Sequence, residues 1–401
     1  MKTWLVLAWL AIPAVGLAGE PPREGPAENG SPAWFLQPSS ADPAGHTVVD
    51  DQGRITVHPH VAGDETFTSF RCTGATTCQD RLGPDRLTLD RVQWKQTMGY
   101  SFDYPIRLPP GDGGPPSVGI DARDNLWVYQ RKAPGNPQLF KYDSLHRLIL
   151  TVGEDVIGHQ DKPHGMAVDA QGNAWICDIN GATVMKISPD GKLLLTLGHH
   201  GHRGDWNEAK GQHYLWQPIS IAFAPDSDIY IGQGHGNESP RDVDSDDPTN
   251  VMGAARILHL DKNGRYLGQW FGDEAGQGKF DQVHGLAVDP LTGDVWIGDR
   301  EQYRIQVYNA AGRFLKTIAT RNLSSTLGFD HEGNPWMATG QDGQVLKLSR
   351  DGRVVGAIGN GMGIGPGQFI ESAYFAFDSH GDIYVGDTSV GRVTRLVKPR
   401  S

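Results

Sequence analysis

Residues 167–176 of this 401-residue chain read Ala-Val-Asp-Ala-Gln-Gly-Asn-Ala-Trp-Ile. Two apolar residues lead to an acid and a short turn that contains Gly and Asn, and a second apolar run follows. Apolar runs with β-branched and aromatic residues on both sides of such a turn are typical of a β-hairpin. This stretch therefore predicts two antiparallel strands joined by a tight turn.

The same phrase occurs six times along the chain. Its third position is occupied by Asp121, Asp169, Ala224, Asp289, Asp330 and Asp378, which lie between 41 and 65 residues apart. A β-repeat with a period of this length is the sequence signature of a β-propeller, in which each repeat forms one blade. Six copies therefore predict an all-β fold, a six-bladed β-propeller.

A second pattern, two further alternating strands, follows each of the first five copies and predicts strands three and four of each blade. The sixth copy ends at Val397 without a fourth strand. An unpaired outer edge would expose backbone hydrogen-bonding groups, which favours aggregation. Residues 92–98 resemble the other fourth strands, so we expect this N-terminal segment to pair with the last blade and close the ring.

The N-terminal sequence predicts the boundaries of the segments that precede the propeller. Residues 1–18 contain one Lys, an apolar run and small residues near the end, a pattern typical of a secretory signal peptide. We therefore expect residues 19–90 to form a leader and an N-terminal extension, and residues 91–401 to form the propeller. The predicted location is exported, either periplasmic or extracellular.

Composition limits the classes of partner. The formal net charge is −11 and no basic run is present, which argues against nucleic acid and anionic membranes as partners. No other segment approaches the length of a membrane span. We expect a soluble monomer that acts on a small-molecule or peptidyl substrate.

Three cysteines are present. Cys72 and Cys78 enclose five residues, a spacing that favours a disulfide loop in an oxidising compartment over a metal site. Cys177 lies within an apolar run, where it is expected to be a small core residue.

The candidate site follows from the phase of the repeat. The position three residues before each phrase starts the innermost strand, which lines the channel of a propeller. His164 and His284 occupy this position in blades two and four, in the similar contexts Pro163-His-Gly-Met-Ala-Val-Asp and Val283-His-Gly-Leu-Ala-Val-Asp. Imidazoles that converge on one axis predict a zinc site when a third ligand joins them, whereas a single histidine there more simply caps a backbone carbonyl.

Other candidates lie at the same mouth, because strand two returns antiparallel to strand one. His235, in the turn Gly234-His-Gly236, is either the third nitrogen ligand or a general acid–base. Arg131 and Arg300 are candidates for binding a substrate carboxylate. Glu371 is a candidate oxygen ligand. The aspartates that end strand two (Asp178, Asp299 and Asp387) are expected to be turn residues that accept hydrogen bonds from backbone amides.

A calcium site is a further alternative. Residues 242–247 alternate oxygen donors, although they lack the Gly and terminal Glu of an EF-hand loop.

These phrases resemble the NHL-repeat propellers, and together with Gly298-Asp-Arg-Glu-Gln-Tyr-Arg-Ile-Gln-Val307 they look similar to peptidyl-α-hydroxyglycine α-amidating lyases over about residues 115–397. The resemblance implies a six-bladed fold, a zinc ion held by three inner-strand histidines, a structural calcium ion, and cleavage of a peptidyl-α-hydroxyglycine into a peptide amide and glyoxylate.

Carried over residue by residue, the resemblance places the first two zinc ligands at His164 and His284. The third falls on Ala373, which has no donor atom, and the aspartate that contacts calcium falls on Tyr374. The position of the catalytic tyrosine is His235, and the catalytic arginine falls near Gly113. Lyase-like bacterial relatives also carry a Gly-His-Gly turn and a Glu in the last blade, so the resemblance implies His235 and Glu371 as replacement ligands.

Three functions follow as expectations. The first is a metal-dependent lyase or hydrolase at the channel mouth, with one zinc ion on the axis. The second is a non-catalytic exported propeller that binds a protein or a glycan, since a fold alone implies no activity. The third is a calcium-dependent lactonase, which would require carboxylate and amide oxygens on the axis.

Overall fold

The computed structural model describes residues 94–109, 114–235, 255–272 and 279–400, except positions 321, 341, 362, 364 and 390, with the backbone alone at position 301. It also gives the backbone of five N-terminal strands, which are Gln37–Pro38, His46–Val49, Ile55–His58, Phe67–Arg71 and Asp90–Trp94. The predicted signal peptide, Cys72, Cys78 and residues 242–247 lie outside the described residues. No helix among the described residues is long and apolar enough to cross a membrane.

Six four-stranded antiparallel sheets form the blades. The innermost strands are Ser117–Ile120, Pro163–Val168, Pro218–Phe223, Val283–Val288, Thr326–Phe329 and Ser372–Phe377. The second strands are Leu126–Tyr129, Ala174–Asp178, Ile229–Gln233, Val295–Asp299, Pro335–Ala338 and Ile383–Asp387. The third strands are Leu139–Tyr142, Thr183–Ile187, Arg256–Leu260, Arg304–Tyr308, Val345–Leu348 and Arg392–Val397. The first five outer strands are Leu148–Val152, Leu193–Gly198, Tyr266–Trp270, Phe314–Ala319 and Val354–Ile358.

Short elements occupy some connections. They are a helix at Glu154–Ile157, 3₁₀ turns at Glu208–Lys210 and Arg300–Gln302, and a two-stranded ribbon of Trp206–Asn207 and Gln212–His213.

The inner strands contact one another in chain order, and the sixth contacts the first, so the blades form a ring. Apolar side chains fill the space between neighbouring blades. Val128 and Phe140 of blade one pack with Tyr384 and Val393 of blade six, for example, in one buried cluster. The predicted six-bladed propeller is confirmed.

The outer edge of blade six differs from the prediction. Its partner is the three-residue strand Ser101–Asp103, which pairs antiparallel with Arg392–Val397. The segment at residues 92–98 lies elsewhere, because Asp90–Trp94 pairs with Phe67–Arg71. Thr97 donates its backbone N–H to Ala357 O at 3.1 Å, which places this segment against the outer strand of blade five.

The repeated acid stabilises the hairpin turn in the five blades that carry it, as Asp169 of blade two shows. The Asp169 carboxylate accepts hydrogen bonds from the backbone and side chain of Asn173 and, at 3.0 Å, from Trp175 Nε1. It also pairs with Lys186 at 3.2 Å, and that ammonium group lies 5.1 Å from the Trp175 ring centroid. Burial would raise the pKa of Asp169, but the hydrogen bonds from Trp175 and Asn173 outweigh burial and lower it. The turn is therefore stabilised by a charged group that is fully hydrogen-bonded.

Candidate metal centre

The inner strands of blades two and four are irregular where they carry their histidines. The pairing register shifts between Pro163 and Met166 in blade two, and between Val283 and Gly285 in blade four. Such bulges re-aim side chains and are frequent beside functional sites. A Cβ atom on Gly165 would lie 2.1 Å from Ile219 O, so the neighbouring inner strand requires glycine after His164. The glycine that follows His164 thus has a packing reason.

The aspartates that end strand two fix the approach to these positions. Both Asp178 oxygens accept backbone N–H groups at 2.7 Å, from residues 161 and 162. Asp299 accepts those of residues 281 and 282 at 3.0 Å, and Asp387 accepts those of residues 370 and 371. All three carboxylates are fully buried. The prediction that they accept hydrogen bonds from backbone amides is confirmed, although each lies at the end of a strand rather than in a turn. They hold the chain just before the inner strands of blades two, four and six.

Three histidines meet on the axis. Each of His164, His235 and His284 offers one ring nitrogen such that the three atoms lie within 4.8 Å of one another. The ring centroids are 5.0 Å apart for His164 and His235, 4.7 Å for His164 and His284, and 5.7 Å for His235 and His284. Two of these histidines lie on the inner strands of blades two and four, and His235 lies two residues after strand two of blade three.

Hydrogen bonds define which nitrogen of two rings is available. His284 Nδ1 lies 2.5 Å from Ser325 O, and His164 Nδ1 lies 3.3 Å from Ile219 O. A carbonyl can only accept, so we assign the ring proton to Nδ1 in both, which leaves Nε2 as the lone-pair donor. His284 Nε2 is buried and has no hydrogen-bond partner among the described residues. A ligating histidine usually has this combination, a carbonyl on one nitrogen and a metal on the other.

Electrostatics favours the neutral form of all three rings. Burial lowers the pKa of His164 well below 6.5, and the neighbouring His284 and His235 lower it further. Burial also lowers the pKa of His284, with Arg300 as the next cause. His235 keeps some solvent access, but it is surrounded mainly by protein, and burial and then Lys162 lower its pKa. Neutral imidazoles are the form that binds a metal.

Two glutamines hold the His235 backbone. The His235 N–H donates to Gln217 Oε1 at 2.9 Å, and Gln282 Nε2 donates to His235 O at 2.5 Å. Gln282 Oε1 also accepts from Arg300 Nη1 at 3.3 Å. The Gln282 side chain therefore connects His235 with Arg300, and the Gln282 backbone O accepts the His284 N–H at 2.9 Å.

The predicted arginines lie near the three histidines His164, His235 and His284, which we call the triad. Arg131 Nε donates to Pro163 O at 3.0 Å, on the strand that carries His164. The charges of Arg131 and Arg300 both act on His235 and His284, and so does that of Lys162. The sequence analysis did not name Lys162, although its position two residues before His164 placed it at the same mouth.

Glu371 is not part of the group of mutually close ligand atoms that the three histidines form. Its carboxylate lies 3.5 Å from Ser389 Oγ and acts electrostatically on Arg131 and Tyr374. The reason is local, because Glu371 precedes the inner strand and Asp387 fixes its backbone. Its predicted role as a ligand gains no geometric support, and it stays a prediction.

Tyr374 is the residue of the site to which sequence reasoning gave no role. Ala373 occupies the same position of its repeat as His164 and His284 do in theirs, but it is buried and offers no ligand atom. The next side chain, Tyr374, crosses the channel, and its hydroxyl lies 3.2 Å from His164 Nδ1. The feature of the sequence that could have pointed to Tyr374 is an aromatic residue directly after the position where a third histidine was expected.

The donor set fits zinc. Zinc binds imidazole nitrogens at about 2.0–2.1 Å in tetrahedral sites, which requires nitrogens about 3.4 Å apart. The three nitrogens here lie within 4.8 Å of one another. A second group of close donors, formed by Asp161, Asp178 and His200, differs in kind. Both oxygens of Asp178 are already used by backbone amides, and His200 is exposed. The triad is the better candidate among the described residues.

Known proteins resemble this chain in sequence. Peptidylglycine alpha-amidating monooxygenase of Rattus norvegicus is 26% identical over 234 residues, which cover 52% of this chain and 22% of that protein. Peptidyl-alpha-hydroxyglycine alpha-amidating lyase 1 of Drosophila melanogaster is 29% identical over 157 residues, 36% of this chain and 25% of the relative. NHL repeat-containing protein 3 of Homo sapiens is 30% identical over 158 residues, 37% of this chain and 40% of the relative. The chain thus spans about a quarter of the length of the amidating enzymes, and no family model matches it.

Solved structures resemble this chain in fold only. A gluconolactonase from Xanthomonas campestris superposes with a TM-score of 0.51 at 14% identity, covering 75% of this chain and 91% of that chain. A streptogramin B lyase superposes with a TM-score of 0.50 at 12% identity, covering 74% and 97%. The chain is thus a six-bladed β-propeller that resembles, in sequence, the peptidyl-α-hydroxyglycine α-amidating lyases and an NHL-repeat protein.

Proposed function

We propose that this propeller is a zinc-dependent lyase that cleaves a peptidyl-α-hydroxyglycine, or a related small substrate with a carboxylate, at the channel mouth. The observation that carries the proposal is the set of three imidazoles whose ligand atoms lie within 4.8 Å. The fixed ring protons of His164 and His284 support it, because they leave Nε2 of both rings available. The similarity to amidating lyases supports the choice of substrate.

His164, His235 and His284 hold the ion in this proposal, so His235 is a ligand rather than a proton carrier. Zinc bound by these residues would supply a Lewis acid for polarising a hydroxyl or carbonyl oxygen of the substrate. Three protein ligands are the usual number in a catalytic zinc site, which keeps one position open.

The cationic side chains bind the substrate. Arg131 and Arg300 hold the carboxylate, since guanidinium groups match carboxylates in a bidentate geometry. Lys162 adds positive charge at the same mouth, as its effect on His235 indicates. A carboxylate fixed in this way keeps the reacting carbon over the triad.

The reaction is an elimination without an external reactant. The bond between the amide nitrogen and the hydroxylated carbon breaks, and its electron pair goes to nitrogen, which takes up a proton. The hydroxyl group loses its proton and becomes the carbonyl of glyoxylate. The products are a peptide amide and glyoxylate, so atoms and charge balance.

We further propose, from residues 1–18, that the protein is exported to the periplasm or outside the cell, and that the mature chain is a monomer with one zinc ion. Calcium as a second ion, in residues 242–247, stays a prediction, as does the disulfide between Cys72 and Cys78.

Two measurements test the proposal. Metal analysis of the purified protein is expected to give one zinc per chain, and glyoxylate is expected to be released from an α-hydroxyglycine peptide. His164→Ala and His284→Ala are each expected to lose both properties. His146→Asn is the matched control, because His146 is another hydrogen-bonded histidine, 2.7 Å from Tyr384 Oη, in a left-handed turn position that Asn tolerates.

If the wild-type protein contains no zinc and binds none on titration, the enzyme proposal fails and a propeller that binds a protein or glycan becomes the better account. If zinc binds but glyoxylate is not released, the metal centre stands and the substrate assignment is wrong. The lactonase alternative shares its fold with a solved gluconolactonase, but the three close donors among the described residues are imidazole nitrogens rather than the oxygens that calcium prefers.

A further inference from the structure

Tyr374 connects opposite sides of the ring. It belongs to the inner strand Ser372–Phe377 of blade six, and its side chain reaches the backbone of blades three and four. The hydroxyl lies 2.9 Å from Ile219 O and 3.1 Å from His284 O. The ring also contacts His164 edge-on and His284 in a stacked arrangement, with centroids 5.5 and 5.7 Å away. The side chain is buried, so these contacts replace water around two candidate ligands.

The direction of its hydrogen bonds is determined by its neighbours. Ile219 O and His284 O can only accept, so the single hydroxyl proton of Tyr374 points to one of these carbonyls. A lone pair of the hydroxyl oxygen then faces His164 Nδ1 at 3.2 Å. That contact is favourable only if Nδ1 carries the ring proton. A tyrosine hydroxyl ordinarily has a pKa of about 10, so it keeps its own proton at neutral pH.

From this geometry we infer that Tyr374 is a positioning residue that fixes the tautomer and orientation of His164, and so presents Nε2 to the metal. The inference rests on the proposed zinc centre. His284 needs no such help, because Ser325 O already lies 2.5 Å from its Nδ1. His164 has only a longer contact, 3.3 Å, to its own carbonyl Ile219 O, and the tyrosine hydroxyl reinforces it.

Tyr374→Phe is the test variant, made in the full chain. Removing a group that orients a ligand typically costs about 10- to 100-fold in metal affinity, so we expect zinc affinity, measured by competition with a chromophoric chelator, to fall by about that factor. Tyr142→Phe is the matched control, because Tyr142 is equally buried and donates to a backbone carbonyl, Arg107 O, at 2.9 Å. The control is expected to keep wild-type zinc affinity and to lose a similar amount of thermal stability.

A second readout does not depend on zinc. ¹⁵N NMR of histidine-labelled, metal-free protein distinguishes the two neutral tautomers, and His164→Gln assigns the signal. Wild-type His164 is expected to be protonated at Nδ1, and Tyr374→Phe is expected to shift it toward a mixture. This readout reports ring protonation directly, which a merely structural role would not change.

The outcomes distinguish the role of Tyr374 from the proposed zinc-dependent function. If the wild-type protein binds no zinc but His164 shows the Nδ1–H form and loses it in Tyr374→Phe, the proposed function fails and the role of Tyr374 stands. If wild-type His164 carries its proton on Nε2, the inference is overturned, whether or not the variant folds. Zinc affinity within about twofold of wild type in Tyr374→Phe, with an unchanged tautomer, overturns it as well.

Discussion

The metal-free protein should lose stability steeply in mild acid because of two buried histidines. His164 is 3% exposed and His284 is 1% exposed, and burial lowers the pKa of both well below 6.5. In the unfolded chain each imidazole regains a pKa of about 6.5. Below that pH the unfolded state binds more protons than the folded state, so the free energy of unfolding falls as the pH falls.

The size of the effect follows from linkage. Between pH 7.5 and 5.5 one histidine that stays neutral when folded and has an unfolded pKa near 6.5 loses about 1.4 kcal/mol. The two residues together therefore contribute about 2.7 kcal/mol. That is a large part of the ~5–15 kcal/mol that stabilises a typical folded protein.

Urea unfolding with chelator present, followed by tryptophan fluorescence from pH 5.5 to 7.5, measures this loss. The double variant His164→Gln/His284→Gln is expected to lose about 2.7 kcal/mol less than wild type over the range, and each single variant about half of that. The comparison uses the slope with pH, so a uniform destabilisation of the variant does not affect it. Parallel pH profiles for wild type and the double variant would show that these rings are not kept neutral by burial, and the reasoning about the site would fail with them.

Two further predictions concern the neighbours of the triad. Gly165→Ala is expected to lower the free energy of unfolding by about 1–3 kcal/mol and to weaken zinc binding, because the new Cβ would lie 2.1 Å from Ile219 O. Gly285→Ala, where the nearest atom is 3.2 Å away, should lower it by less than about 1 kcal/mol. Equal losses for the two variants in urea unfolding would contradict this prediction. Arg131→Gln and Arg300→Gln are each expected to raise KM for a carboxylate substrate about tenfold or more, while the zinc content stays at one per chain. Loss of zinc in these variants would mean that the arginines stabilise the metal centre rather than bind the substrate.

The blade count and the positions of His164 and His284 were predictable because both depend on local chemistry. Each hairpin turn is closed within a few residues, as Asp169 and Asn173 show, so the repeat is visible in the sequence without tertiary information. The phase of that repeat then places both histidines at the start of an inner strand. His235 was predictable for the same reason, since strand two must return to the same mouth.

The features that sequence analysis missed depend on contacts between distant parts of the ring. Residues 92–98 have the alternation of an outer strand, but which edge they approach depends on where the chain leaves the N-terminal strands. The actual partner of Arg392–Val397 is the three-residue strand Ser101–Asp103, too short to produce a pattern. The contacts of Tyr374 with Ile219 and His284 join blade six to blades three and four, so the residues around Tyr374 in the sequence do not identify these partners.

The exchange of the third ligand also has a consequence for substrate access. Histidines at the same repeat position in blades two, four and six would surround an ion evenly, but blade six has Ala373 at this position, and in the proposed centre His235 of blade three is the third donor. All three donors then come from consecutive blades, so a bound ion is covered on that side by His164, His235 and His284. In the proposed centre, blades five, six and one lie away from these three donors. Arg131 follows strand two of blade one, whereas Arg300 follows strand two of blade four beside His284. A carboxylate held by Arg131 would approach the ion from the side of blade one, which is why the loss of a symmetric ligand is compatible with catalysis rather than evidence against it.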